Sequence, residues 1–162
     1  MCTREPALCA GDRAAGRKAG TGPVARLTTK AMRTLRRVND HVNAQIQSTH
    51  DHTVYGVSDF WTSGRRQGDC EDYMITKKQS LIAAGFAPDQ LLYAVVRGTE
   101  TPYHAVLIVR TDMGDLVLDN LRSEILDWRA SNYRFVVRQS AANPLQWVRV
   151  GTVGARIAAR DE

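Results

Sequence analysis

No apolar run in the 162-residue sequence approaches the roughly 20 residues that a membrane-spanning helix requires, so an integral helical membrane protein is excluded. The first twenty residues, MCTREPALCAGDRAAGRKAG, lack an apolar stretch of about 7 residues, and no secretory signal is read there. Cysteine is scarce. Cys2, Cys9 and Cys70 form no CxxC pair, which argues against a zinc ribbon or a thioredoxin-type site. Cys2 and Cys9 could close a small disulfide in an oxidising compartment, which leaves Cys70 as an odd thiol that is either buried and inert or reactive. There is no internal repeat, and no low-complexity block beyond the N-terminal stretch. What remains is enough for a core: 43% of residues are hydrophobic and 24% charged, the balance of one globular domain.

The net charge of +5 is unevenly placed. Residues 1–40 hold nine Lys/Arg against three acids, and the remaining 122 residues hold 13 against 14. The excess therefore lies on a tail and a first helix, whereas a nucleic-acid binder would carry a basic stripe across its folded body. Nucleic acid is not an expected partner.

Residues 1–27, rich in Gly, Ala, Arg and Pro without periodicity, read as a flexible basic arm, and 28–162 as the folded domain. From Thr28 or Thr29, apolar residues recur at Met32, Leu35, Val38, Val42 and Ile46, the stripe of an amphipathic helix with Arg33, Arg36 and Arg37 on its solvated side. Residues 48–68 read as a loop containing His50, Asp51, His52, Tyr55, Phe60 and Trp61. The two histidines could bind a metal but fit a hydrated loop better, and Tyr55 and Trp61 fit core positions better than a cleft. A second helix is expected over Cys70–Ala84, with Asp69 as N-cap and Gly85 just past the end. Five β-type runs follow at 91–97, 104–110, 115–119, 133–138 and 146–150. Trp128 and Trp147 read as core or sheet-edge packing. Helix, helix and then five mostly antiparallel strands make an α+β fold with helices on one side of the sheet.

The densest chemistry lies in Gly68-Asp69-Cys70-Glu71-Asp72. Cys70 in a first helical turn faces unpaired N–H groups and the positive end of the helix dipole, which favour the nucleophilic thiolate. His104 and Asp119 supply partners. If the TDMG hairpin turns between Asp112 and Met113, Arg110 faces Asp115 and Val106 faces Asp119. His104 and Asp119 are then diagonal neighbours on one sheet face. Asp119 can orient the ring while the other ring nitrogen addresses Cys70. Asn120 is a substitute orienter without the negative charge. A hairpin loop with an odd number of residues would send one partner to the opposite face. Asp69, Glu71 and Asp72 should oppose a thiolate, and a hard cation held by their oxygens, calcium rather than zinc, would relieve that conflict.

The segments YGVSDFWTSGRRQGDCEDYMITKKQSLIAAGF, YHAVLIVRTDMGDLVLDN and YRFVVRQS closely resemble the bacterial transglutaminase-like cysteine proteinases, over roughly Leu27 to Val150. The resemblance implies a papain-like or transglutaminase-like core with Cys70 as nucleophile, His104 as base and Asp119 as third triad member. It also implies calcium bound through Asp69, Glu71 and Asp72, a periplasmic or exported location, and a protein substrate such as a cell-surface adhesin. The stretch TSGRRQ before Gly68 is shorter than in adhesin-cleaving members, and the absent export signal keeps a cytoplasmic location as an alternative. Hydrolysis of peptide bonds is the expected reaction. Acyl transfer to an amine on the same triad and a non-catalytic peptide-binding or regulatory module are the alternatives.

Overall fold

The computed structural model describes residues 23–48, 67–99 and 102–150. The apolar stripe folds as helix α1 (Thr29–Gln45), capped by Thr28, whose hydroxyl accepts the Ala31 N–H at 3.1 Å. Leu35, Val38 and Val42 are buried along it, and Ile46 closes the stripe. A polar residue on that face, Asn39, is also buried, because its amide donates to the Ser123 carbonyl at 3.1 Å.

Helix α2 (Cys70–Ala83) begins at Asp69 and stops where Gly85 takes φ +99° and its N–H reaches the Ile82 carbonyl at 3.0 Å. A left-handed residue here suits glycine, which lacks the Cβ that would resist it. Most of α2 is buried, because α1 covers one side and the sheet the other. Lys77 and Lys78 are each only 1% exposed, although lysine ordinarily marks a solvated face. Tyr73 fastens the two helices by donating to the Ile46 carbonyl at 2.5 Å.

Two short parallel strands, β1 (Gln47–Ser48) and β2 (Gln67–Gly68), lead into α2. The main sheet contains β3 (Leu91–Arg97), β4 (His104–Thr111), β5 (Gly114–Leu118), β6 (Leu126–Asp127), β7 (Arg134–Gln139) and β8 (Trp147–Arg149). Their spatial order is β6-β5-β4-β3-β7-β8, every neighbouring pair antiparallel. The sheet thus has six strands rather than the expected five. The extra one is two residues long, too short to show a period-two pattern.

One face of the sheet packs Leu91, Tyr93, Ala105, Leu107, Val109, Leu116 and Leu118 against the helices. The other face gathers Leu92, Ala94, Val96, Val106, Ile108, Val117 and Phe135 into a second apolar cluster. Strand β4 is buried throughout, which explains its nearly unbroken apolar sequence. Trp128 packs edge-on against Phe135 at 5.8 Å, and Trp147 lies on the edge strand, 40% exposed.

The end of the expected arm belongs to the fold. Ala25 is buried beside the β4–β5 hairpin, donating to the Arg110 carbonyl at 2.8 Å and accepting the Asp112 N–H at 3.0 Å. Leu27 N–H adds a bond to the Asp112 carboxylate at 2.8 Å. Cys2, Cys9, His50, Asp51, His52, Tyr55, Phe60 and Trp61 lie outside the described residues.

Candidate active site

The hairpin register decides which side chains can meet. Arg110 pairs with Asp115 and Thr111 with Gly114, so the turn is the two residues Asp112–Met113, with Gly114 at φ +119°. His104 opens β4, and Asp119 follows the last residue of β5. Their side chains meet: His104 Nε2 lies 2.7 Å from Asp119 Oδ1, with the two residues 4% and 2% exposed. Asn120, the weaker candidate for this position, does not make that contact among the described residues.

The Asp119 carboxylate is strongly held. Burial by itself would raise its pKa, but the bonds from His104, from Tyr133 and from the Leu121 N–H hold it below the usual carboxylate range. Tyr133 donates to Oδ2 at 2.6 Å and the Leu121 N–H to Oδ1 at 2.9 Å. The Tyr133 phenol is pushed up to about 12 by burial and by its bond to Asp119. Arg122 stacks over the Tyr133 ring at 4.9 Å, with Nε 3.9 Å from Oδ2. From α1, Asn43 donates to the Asp119 carbonyl at 2.9 Å, so backbone and side chain are both fixed. An ionised carboxylate only accepts hydrogen bonds, so the ring proton of neutral His104 sits on Nε2 and Nδ1 carries the basic lone pair.

Cys70 is built from the other direction. Asp69 caps α2, accepting the Glu71 N–H at 3.2 Å, while Asp72 Oδ2 accepts the Asp69 N–H at 3.3 Å. This reciprocal capping box fixes the helix start. Cys70 is thereby set in the first turn, half-buried, where its sulfur accepts the N–H of Ala105, the residue after His104. The first turn of α2 and the start of β4 are thus in contact at the sulfur. Among the described residues the thiol donates to Glu71 Oε2, at 3.0 Å, and not to the His104 ring. Burial, reinforced by the charge and hydrogen bond of Glu71, pushes the thiol well above its ordinary value, and the Ala105 N–H opposes this only in part.

The three expected metal-binding acids divide. Ligand atoms of Asp69, Cys70 and Glu71 lie within 4.8 Å of one another, whereas Asp72 is 1% exposed, bonded into the cap and outside that cluster. Burial and the adjoining Glu71 carboxylate raise Asp69 to about 7. Two carboxylates crowded this closely suit a hard cation with oxygen ligands, and the sulfur beside them does not suit one.

Gly68 is required by close approach. A Cβ there would come 2.6 Å from the Asp72 Cβ and overlap its carboxylate. Gly68→Ala is therefore expected to expel Asp72 from the cap and destabilise the protein by about 1–2 kcal/mol or more, the scale of a lost cap plus a displaced buried acid. Thermal unfolding checks this, and an unchanged melting temperature would contradict the close packing of this turn.

Tyr133, Leu121, Arg122 and Asn43 were not singled out from the sequence. Tyr133 alone left a trace there, as an aromatic opening a β-run. The role of Glu71 as partner of the thiol had no sequence signal distinct from its expected role as a metal ligand.

The family model for bacterial transglutaminase-like cysteine proteinases matches residues 1–154. Among solved structures, calcium-bound LapG of Legionella pneumophila is 28% identical with a TM-score of 0.63, covering 76% of this chain and 71% of that one. Two other structures of the same protein, one without a stated treatment and one EGTA-treated, are each 30% identical, with TM-scores of 0.56 and 0.55. The alignments cover 67% and 66% of this chain, and the chain spans 64% and 62%, just under two thirds, of those LapG chains. No match was found among curated proteins. With its capped cysteine helix, its antiparallel sheet and the match along nearly its whole length, this chain belongs to the bacterial transglutaminase-like cysteine proteinases.

Proposed function

We propose that this protein is a cysteine endopeptidase that hydrolyses peptide bonds of a protein substrate with Cys70, His104 and Asp119. The observation that carries the reading is the buried 2.7 Å pair of His104 and Asp119, set at the start of the strand that Cys70 touches. The fixed tautomer leaves Nδ1 as the base. Nδ1 takes the thiol proton, and the sulfur attacks the carbonyl carbon of the scissile bond. The resulting oxyanion is met by backbone N–H groups at the start of α2, including that of Cys70, which the cap does not use. The imidazolium, stabilised by ionised Asp119, then gives its proton to the leaving amine. A water molecule, deprotonated by His104, attacks the acyl-enzyme; the C–S bond breaks, the acid product departs, and the Cys70 thiolate takes the proton back from the imidazolium.

In this reading Asp69 and Glu71 would hold a calcium ion, and Asp72 orients Asp69 through the cap. A calcium ion there would supply positive charge that offsets the two carboxylates. Without an ion, Glu71 accepts the hydrogen bond of the Cys70 thiol at 3.0 Å. Calcium-bound and EGTA-treated forms of LapG fit this assignment. An adhesin substrate and a periplasmic location are the finer form of the proposal and rest on the sequence resemblance alone.

The test is incubation of unfolded protein substrates with calcium, followed by mass spectrometry of the products. New termini whose fragment masses sum to substrate plus one water are expected. Intact substrate, or products joined to an added amine in place of water, would overturn the hydrolytic assignment. A non-catalytic peptide-binding module is favoured by one observation, the bond from the thiol to Glu71. That reading requires the thiol to stay unreactive when calcium is present.

Tyr133 is a positioning residue here. Tyr133→Phe removes a hydrogen bond to a charged acceptor, worth about 1.5–3 kcal/mol. The three bonds depress the Asp119 pKa, so losing one raises it. The acid limb of kcat/KM should therefore move toward neutral pH, with kcat falling about tenfold and KM little changed. An unshifted limb would leave Tyr133 with packing alone.

A further inference from the structure

Beyond Cys70, across the same face of the sheet, lies a second feature that the proposed chemistry does not use. A cavity of about 380 Å³ is lined by Arg97, Arg134 and Arg149, with Val136 and Val137 among its apolar lining. Arg97 and Arg134 are direct cross-strand partners, an arrangement of like charges that destabilises a sheet when nothing lies between them. Among the described residues, no carboxylate pairs with any of the three guanidiniums. Arg97 is oriented by stacking at 4.4 Å on Tyr103, the exposed residue preceding His104.

The register fixes where this cavity sits. Cys70 touches Ala105, Ala105 pairs with Val95, Val95 with Val137, and Val137 with Arg149. Directly paired residues share a face, so this row runs across the sheet on the helix-covered side and ends at Arg149 on the edge strand β8. At about 4.8 Å per strand, three steps separate Ala105 from Arg149 by roughly 14 Å, the span of about four extended residues. A register shift between Val95 and Val96 leaves Val136 as the extra residue of β7, and Val136 also lines the cavity. Such bulges re-aim neighbouring side chains.

We propose that Arg97, Arg134 and Arg149 form a subsite for acidic side chains of the protein substrate, about three to five residues from the bond that Cys70 attacks. This rests on the endopeptidase reading for the identity of its ligand. Guanidiniums recognise carboxylates in a directed, forked geometry, and the apolar walls take the intervening aliphatic side chains. The arrangement assigns acidic segments of a polypeptide as the preferred substrate class.

The experiment uses the full chain carrying Cys70→Ala, so that nothing turns over. Fluorescence anisotropy measures a labelled dodecapeptide of alternating Glu and Ala, and its Gln-for-Glu counterpart. The Glu peptide should bind at least about tenfold more tightly, with an advantage that shrinks as salt rises. Adding Arg97→Gln, Arg134→Gln and Arg149→Gln together should erase that difference. Equal binding of both peptides, binding of neither, or an advantage that survives the triple substitution would overturn the subsite. So would displacement of the peptide by inorganic phosphate at a concentration equal to the peptide's own Kd, which marks a bare-anion site. A single-stranded oligonucleotide that binds more tightly than the Glu peptide through the same arginines would overturn it in favour of nucleic acid. Alkylation of wild-type Cys70 is read separately. A sluggish thiol beside intact peptide binding would remove the endopeptidase reading and leave the subsite standing.

Discussion

Cys70→Ala is expected to abolish peptide hydrolysis, and His104→Ala to lower kcat/KM by about 10³-fold or more, with both variants folded. The size follows from the roles. Without the sulfur no acyl-enzyme forms. Without the imidazole the thiol has no base to take its proton, and burial, the largest cause, holds its pKa high. Asp119→Asn should also be severe, on the order of 10²–10⁴-fold, because an amide can donate to Nε2 and turn the ring to the wrong tautomer. Combining any two substitutions should cost little more than the worse one, since the three act as a unit. Measured kcat/KM values with circular dichroism as a fold control check this. Near-normal turnover by His104→Ala would show that something else activates the thiol.

Calcium is expected to have the next largest effect. As described, the thiol donates to Glu71, and both carboxylates of the Asp69–Glu71 cluster oppose a thiolate. A shift of one pKa unit corresponds to about 1.36 kcal/mol and a tenfold change in thiolate fraction. Offsetting both charges should therefore raise Cys70 alkylation near pH 7 by at least about tenfold, and calcium bound only to the folded state should raise the melting temperature. A chelator should reverse both. The double variant Asp69→Asn, Glu71→Gln should lose both responses, with a thiol freed from its carboxylate partner even when calcium is absent. Identical rates and melting temperatures in calcium and in chelator would remove calcium from the account.

The parts of the fold that were legible in the sequence are those governed by short-range rules. Thr28 is a hydroxyl cap placed just before an apolar stripe, and the second helix is bracketed by the Asp69 carboxylate cap and by Gly85 just past its end. The long β-runs carry enough branched residues to reveal themselves. Strand β6 was invisible because two residues have no period, and the attachment of Ala25 was invisible because its bonds are all to the backbone or to Asp112, far along the chain. In the site, the meeting of His104 and Asp119 could be worked out because a hairpin with two loop residues fixes register, and register fixes faces. The Tyr133 and Asn43 bonds to Asp119 could not, since each crosses between elements whose relative placement only tertiary packing decides. Burial of Lys77 and Lys78 was hidden for the same reason. Burial lowers their pKa values to about 7 and about 8, and Asp119 and Asp89, respectively, oppose the shift in part.

The most direct measurement is the pH dependence of Cys70 alkylation by iodoacetamide, with calcium present, in wild type and in His104→Ala. If His104 draws the proton from this thiol, the wild-type rate will remain well above that of a model thiol below pH 7, and His104→Ala will lose that excess. A wild-type profile that rises only above the ordinary thiol pKa of about 8.5, unchanged by His104→Ala, would contradict the claim that these side chains work together.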